Sequence, residues 1–254
     1  MLSFVGILYD LGDLNGACAA FKRSLAIWEA IFGKEHPHVA AGLNNLGNVL
    51  RSLDDMEGAR AAFERALEID ETAFGKDHPN VATDLNNLGI VLQDLGDLQG
   101  AYTAYHRALE IDEAVFGKEH PAVAIELGNL GVVLQRLGDT ESARAVFERA
   151  LVIDEITFGK GHPNVATDLN HLGRLLYNLG DLDSARTTFE RVIQILEASF
   201  ANSHPDIATS YLNLGVVFQS QGEKEQARVC YQCALAIYER FLPPAHSDIE
   251  RIKG

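Results

Sequence analysis

The chain is poor in the residues that staple, span and grip anions. Its 254 residues include three cysteines, one tryptophan and two methionines. Cys18, Cys230 and Cys233 are too few and too scattered for a disulfide framework, which points to a reducing, cytoplasmic setting. Basic residues are scarce as well: 21 Lys and Arg stand against 36 Asp and Glu, a formal net charge of −15. Nucleic acid and anionic membrane surfaces both require a basic footprint, so neither is an expected partner. No run approaches the roughly 18 apolar residues of a membrane span. The N-terminal stretch lacks the basic region of a secretory signal. There is no G-x-S-x-G, no H-E-x-x-H, no phosphate-binding loop and no calcium loop; Asp10, Asp13 and Asn15 have the wrong register for calcium. Nothing alternates with period 2, which excludes a sheet. With no long insertion to carry a catalytic loop, no catalytic residues, no metal and no cofactor are expected.

What the chain does have is a period. His-Pro occurs at 36–37, 78–79, 120–121, 162–163 and 204–205, each step 42 residues, and His246 falls one step further. A fixed period of this length marks a stacked repeat protein, in which each unit touches only its neighbours and function lies on an extended surface. The expected organisation is a single array over 1–254. Its units are 1–35 (partial), 36–77, 78–119, 120–161, 162–203 and 204–245, with a stub at 246–254.

Each unit reads as two helices. In 36–77 the first helix (A), about 38–53, carries Val39, Leu43, Leu46, Leu50 and Leu53 on one stripe, with Pro37 in its first turn. Asp54-Asp55 form a short turn that is Gly-Asp in the next three units. The second helix (B), about 56–74, carries Ala59, Phe63, Ala66, Ile69 and Ala73, and Gly75 stops it. Ala201 replaces that glycine in the fifth loop, so a poorer cap is expected there. Gly47, Gly89, Gly131, Gly173 and Gly215 share one register inside helix A. A helical Gly costs about 1 kcal/mol against Ala, and its recurrence implies a close helix contact.

The pattern Leu43-x-x-Leu46-Gly47-x-x-Leu50, followed by Ala59, Phe63 and Ala66, resembles the tetratricopeptide repeat. The 42-residue period and the run Phe74-Gly-Lys-Asp-His-Pro-Asn-Val-Ala-x-x-Leu-Asn-Asn-Leu-Gly89 resemble its kinesin light chain-like subtype, also found as C-terminal arrays of NTPase signalling proteins. The resemblance implies an all-α, right-handed α-solenoid of stacked antiparallel helix pairs. It also implies a non-catalytic scaffold that binds a protein or peptide in a concave groove lined by the A helices.

The face of helix A opposite its apolar stripe would line that groove. Two sets of side chains stand out there. Asn45, Asn87, Asn129 and Asn213 share one register, with His171 in the remaining rung and Asn48 beside them. Amides offer both donors and an acceptor, suited to the backbone of an extended peptide; the alternative is that each bonds a neighbouring helix. Arg51, Arg136 and Arg174 make the groove basic in an acidic chain, which favours an acidic peptide through bidentate pairing. The alternative is that they pair with Asp84, Glu126 or Asp168. The negative charge is expected on helix B and the loops, at Glu64, Glu68, Asp70, Glu71 and their equivalents.

The periodic histidines lie too far apart to share a metal, so helix capping beside Pro is expected of them. Cys230-x-x-Cys233 lies inside a helix with no second pair and reads as packing; Cys18 reads as partly exposed. In the last B helix an outward slot held by Asp70, Asp112 and Asp154 turns to Leu196 and then Tyr238, and the Arg65, Arg107, Arg149, Arg191 slot becomes Cys233. Val229, Cys230, Ile237 and Phe241 add to this apolar character. Two explanations remain: the chain belongs to a longer array, or the C-terminal helix self-associates, unless the stub covers it. A self-associating arm of a larger signalling NTPase is the competing functional reading.

Overall fold

The computed structural model describes residues 13–200 and 204–241. Among them are eleven α-helices and no strand. These are α1 (Leu14–Phe32), α2 (Pro37–Ser52), α3 (Met56–Phe74), α4 (Pro79–Asp94), α5 (Leu98–Phe116), α6 (Pro121–Leu137), α7 (Thr140–Phe158), α8 (Pro163–Asn178), α9 (Leu182–Phe200), α10 (Pro205–Gln221) and α11 (Lys224–Phe241). The fold class is that of an all-α repeat solenoid. Ala201 and the stub at 246–254 lie outside the described residues, as do the first twelve residues.

The chain divides into two compact units, one ending at Leu137 and one beginning at Gly138. In the first, each of α1 to α5 packs on the helix that follows; in the second, each of α7 to α10 does the same. A helices also touch one another directly, α2 with α4 and α4 with α6 in the first unit, α8 with α10 in the second.

Local chemistry sets every boundary. The A helices open on histidine: Nδ1 of His36, His78, His120, His162 and His204 accepts the N–H two residues on, at 3.1 to 3.3 Å. Each imidazole stacks on a phenylalanine that closes the preceding B helix, with centroids 4.4 to 4.8 Å apart. Pro at the first helical position has no N–H to leave unpaired. Histidine capping is therefore as expected. The A helices end where the chain takes positive φ, at Gly96, Gly138, Gly180 and Gly222; Asp54, at φ 63°, occupies that slot after α2. The next residue is the cap of helix B: Asp55, Asp97, Asp139 and Asp181 accept from the N–H three residues on, satisfying a donor that the first turn leaves open.

The core alternates with this geometry. Val39, Ala40, Leu43, Ala62, Ala66 and Ile69 form one cluster, and Val81, Ala82, Leu85, Ala104, Ala108 and Ile111 repeat it. In the second unit Val165, Leu169, Val192, Leu196 and Ile207 form the equivalent group.

Several expectations are corrected. Asp70, Asp112 and Asp154 do not face solvent; they are buried, as are Leu196 and Tyr238 in the same register. Each of α3, α5 and α9 packs on its own A helix and again on the next one, which gives a B helix two buried faces, and a single apolar stripe reveals only the first. Tyr238 fits its inward slot by sharing a hydrogen bond with Thr209, 2.9 Å between hydroxyls. Cys18 is buried rather than partly exposed, and Cys230 is buried with Cys233 partly so. Leu212 and Gly128, which the 3.6-residue period sets on the face of helix A opposite its apolar stripe, are buried.

Candidate functional site

The A helices present a stripe of exposed and half-exposed side chains. In the first unit the stripe runs through Ala41, Asn48 and Ser52 on α2, Thr83 and Asp94 on α4, and Ile125 and Arg136 on α6. Asn45, Asn87 and Asn129 lie one step deeper and are half-buried. The register of Asn87 and Asn129 brings each beside the preceding A helix. Asn87 Nδ2 donates to Asn44 Oδ1 at 3.3 Å, and Asn129 Nδ2 donates to Asn86 Oδ1 at 2.8 Å. Asn44 in turn donates to the Asp84 carboxylate. Asn87 and Asn129 thus tie neighbouring helices with one donor each, and each amide keeps its acceptor and a second donor for other partners.

Arg136 Nη1 donates to the backbone carbonyl of Gln93 at 2.9 Å, which fixes an exposed guanidinium over the end of α4. Arg51 is half-exposed at the matching position of α2, and its charge offsets part of the burial that pushes the Tyr105 phenol up. Neither arginine has a carboxylate partner among the described residues. Asp84 and Glu126, the candidate counter-charges, are buried away from them.

In the second unit the stripe runs through Thr167, Arg174 and Asn178 on α8, and Thr209, Val216 and Ser220 on α10. Arg174, Tyr177, Asn178, Asn213, Val216 and Phe189 line a cleft of about 170 Å³. The hydroxyl of Tyr177, which lines it, lies 3.1 Å from that of Ser220. His171 occupies the asparagine register, tilted against Phe147 with centroids 5.2 Å apart. Burial, with help from the nearby Arg174 charge, pushes its pKa down to about 4. It is therefore a neutral rung near pH 7, able to hydrogen bond without adding charge. Arg174 is exposed and has no acidic partner among the described residues.

On the B helices, by contrast, six arginines are paired with carboxylates. Arg65 reaches back to Glu29, Arg107 to Glu71 and Arg191 to Glu155, at 2.5 to 2.6 Å. Arg60, Arg144 and Arg186 pair with Glu64, Glu148 and Glu190 within their own helices. Sequence reasoning missed the inter-helix bridges, although the 36-residue spacing of Glu and Arg would have disclosed them. At the last bridge position Cys233 replaces arginine, and Glu197 instead accepts from the Tyr211 hydroxyl at 2.8 Å.

Among the described residues no group of three or more His, Cys, Asp or Glu is arranged to hold a metal ion. No described helix is long and apolar enough to cross a membrane.

No curated protein matches the sequence at a significant level. Among solved structures the chain is similar to BtubC (BKLC) from P. vanneervenii, at 22% identity and a TM-score of 0.75, over 92% of this chain and 95% of that one. It is similar to a kinesin light chain-like protein of nearly identical TPR-like repeats from Podosopora anserina, at 20% identity and a TM-score of 0.68, over 82% of this chain and 99% of that one. YrrB, described as a TPR protein with an unusual peptide-binding site, aligns at 24% identity and a TM-score of 0.50, over 92% of this chain and 97% of that one. At these identities the likeness concerns the fold. A profile of the tetratricopeptide repeat matches residues 2–72, 38–101, 85–156, 127–198 and 164–240, nearly the whole sequence. The His-capped, 42-residue helix pairs and this match together mean that the chain belongs to the tetratricopeptide repeat family, with a repeat of the kinesin light chain-like kind.

Proposed function

We propose that this protein is a non-catalytic interaction scaffold of the cytoplasm that binds an extended acidic peptide along the exposed faces of its A helices. One contrast carries the reading. Six arginines on the B helices are held in ion pairs, whereas Arg51, Arg136 and Arg174 on the A helices face outward without a carboxylate. In a chain of net charge −15, uncompensated guanidinium groups on the A helices of both units suit a carboxylate-bearing ligand. The amides of Asn45, Asn48, Asn87, Asn129 and Asn213, with the neutral His171, supply donors and acceptors for the ligand backbone. Ile125 is exposed on the stripe of the first unit and Val216 on that of the second, so an apolar side chain between the acidic ones would add contact area on either.

The test uses a fluorescein-labelled peptide alternating Glu with Leu, beside its Lys counterpart. The parent should bind the acidic peptide, more weakly as salt rises, and the Arg51→Glu, Arg136→Glu, Arg174→Glu variant should lose at least about tenfold in affinity, equal to about 1.4 kcal/mol. Equal binding by parent and variant would refute the electrostatic part of the reading.

A second reading is self-association through α11, as in a structural arm of a larger signalling protein. Val229 and Phe241 are exposed there, and Lys224, Arg228, Tyr231 and Leu235 border a cleft of about 360 Å³. Sedimentation of the parent beside Val229→Asp, Phe241→Asp decides it; a parent that stays monomeric at high concentration sinks this reading.

A further inference from the structure

Five registers of the repeat among the described residues pair a B-helix residue with the residue fourteen positions later on the following A helix. At the first, Trp28 fills the space above Gly42, where an added Cβ would stand 2.7 Å from the indole ring. At the fifth, buried Leu196 precedes buried Ser210. At the three between them the pairs are Asp70 with Asp84, Asp112 with Glu126, and Asp154 with Asp168, and all six carboxyl groups are buried. Asp70 Oδ1, Asp84 Oδ2, Glu126 Oε2, Asp154 Oδ1 and Asp168 Oδ2 have no hydrogen-bond partner. Among the described residues none of them pairs with a lysine or arginine, and His78, His120 and His162 offset only part of the burial of Asp70, Asp112 and Asp154. Their polar surroundings are Asn44 on Asp84, His78 and Asn80 on Asp70, His120 on Asp112, the Tyr105 phenol beside Glu126, and His162 and Asn164 on Asp154. Two ionised carboxylates side by side in a buried site repel each other and lose hydration, so one of them keeps its proton.

We propose that these three acid pairs are proton-gated joints: each holds a proton between its two carboxyl groups, and loss of that proton weakens the packing of a B helix on the next A helix.

The shared proton supplies the donor that the orphaned oxygens lack. The chain itself shows that the joint can be built without charge, as Leu196 and Ser210 do. Burial, aided by the like charge of the partner, pushes Asp84 up to about 7 and Glu126 and Asp168 up to about 8. Each folded value lies above the ordinary carboxyl value, so the folded state binds more protons than the unfolded chain between them. Stability is then greatest on the acid side and falls as pH rises through the folded values. From about pH 6.5 to about 8 the parent's unfolding constant should rise by up to about tenfold per pH unit for each joint still protonated. His171, pushed down to about 4, no longer titrates in that window.

Two measurements test the idea on the full chain. An infrared spectrum of the folded parent near neutral pH should show the C=O stretch of protonated carboxyl groups, lost as pH is raised to about 9. Urea midpoints of the parent should fall over the same range, and those of Asp84→Asn, Glu126→Gln, Asp168→Asn should stay flat. A second variant guards against misfolding of the first by copying the uncharged joint: Asp70→Leu with Asp84→Ser, Asp112→Leu with Glu126→Ser, and Asp154→Leu with Asp168→Ser. Absence of the protonated band at neutral pH, or a pH slope that persists in either folded variant, would overturn the proposal.

Discussion

Gly89 lies against the ring of Tyr105, where a methyl group added to Gly89 would stand 2.7 Å from Cε1. Tyr105 is buried and cannot withdraw. Phe63 lies in the same way over Gly47, Phe189 over Gly173 and Tyr231 over Gly215. Gly89→Ala sets about 1 kcal/mol of gained helix propensity against about 1–3 kcal/mol of overpacking. We expect a net loss of up to about 2 kcal/mol, read as a lower urea midpoint. In a Tyr105→Leu background, which makes room, the same change should become neutral or stabilising.

The aspartate caps are separable from the core. Asp97 Oδ1 accepts from the Gly100 N–H at 2.9 Å. Asp97→Ala should destabilise by about 1 kcal/mol, and Asp97→Asn, which keeps the acceptor, by much less. Chemical denaturation of both variants checks this, and equal losses would show that the cap bond is not the source.

Asn129→Ala leaves the Asn86 side-chain oxygen without its donor. Removing one partner of a half-buried pair costs about 1 kcal/mol. A double-mutant cycle with Asn86→Ala should return a coupling of about 0.5–1.5 kcal/mol. A coupling near zero would mean that the amide is available to a ligand instead of holding α6 to α4.

His171 provides a pH prediction of opposite sign to the acid pairs. Its folded value, about 4, lies below the ordinary histidine value, so the unfolded chain binds the proton more readily. The helix pair that contains it should lose stability as pH falls from about 6.5 toward 4. NMR titration should place the imidazole midpoint near the lower end of that range. His171→Gln should remove the corresponding part of the acid sensitivity; a midpoint close to 6.5 would show that the ring is solvated.

Much of the design is local and therefore legible. His-Pro marked the start of each A helix, because an imidazole acceptor and a residue without an N–H both suit a helix N-terminus. The Gly-Asp turns marked the junction between A and B, although the capping by Asp55, Asp97, Asp139 and Asp181 emerged only with the geometry. The apolar stripes found the contacts within a pair. They could not find the second buried face, and so Asp70, Asp112, Asp154, Leu196 and Tyr238 were read as outward.

The amino-acid sequence by itself determined the period, the helices, their ends and the family, because each follows from residues near one another in the chain. The tertiary structure alone decided which polar groups are available. Asn87 and Asn129 meet partners 43 residues earlier, Arg65, Arg107 and Arg191 meet carboxylates 36 residues earlier, and Asp84, Glu126 and Asp168 face acids 14 residues earlier. Those separations bring side chains together only when one helix pair stacks on the next, which is why Arg51, Arg136 and Arg174 could be recognised as uncompensated only after the stacking was known.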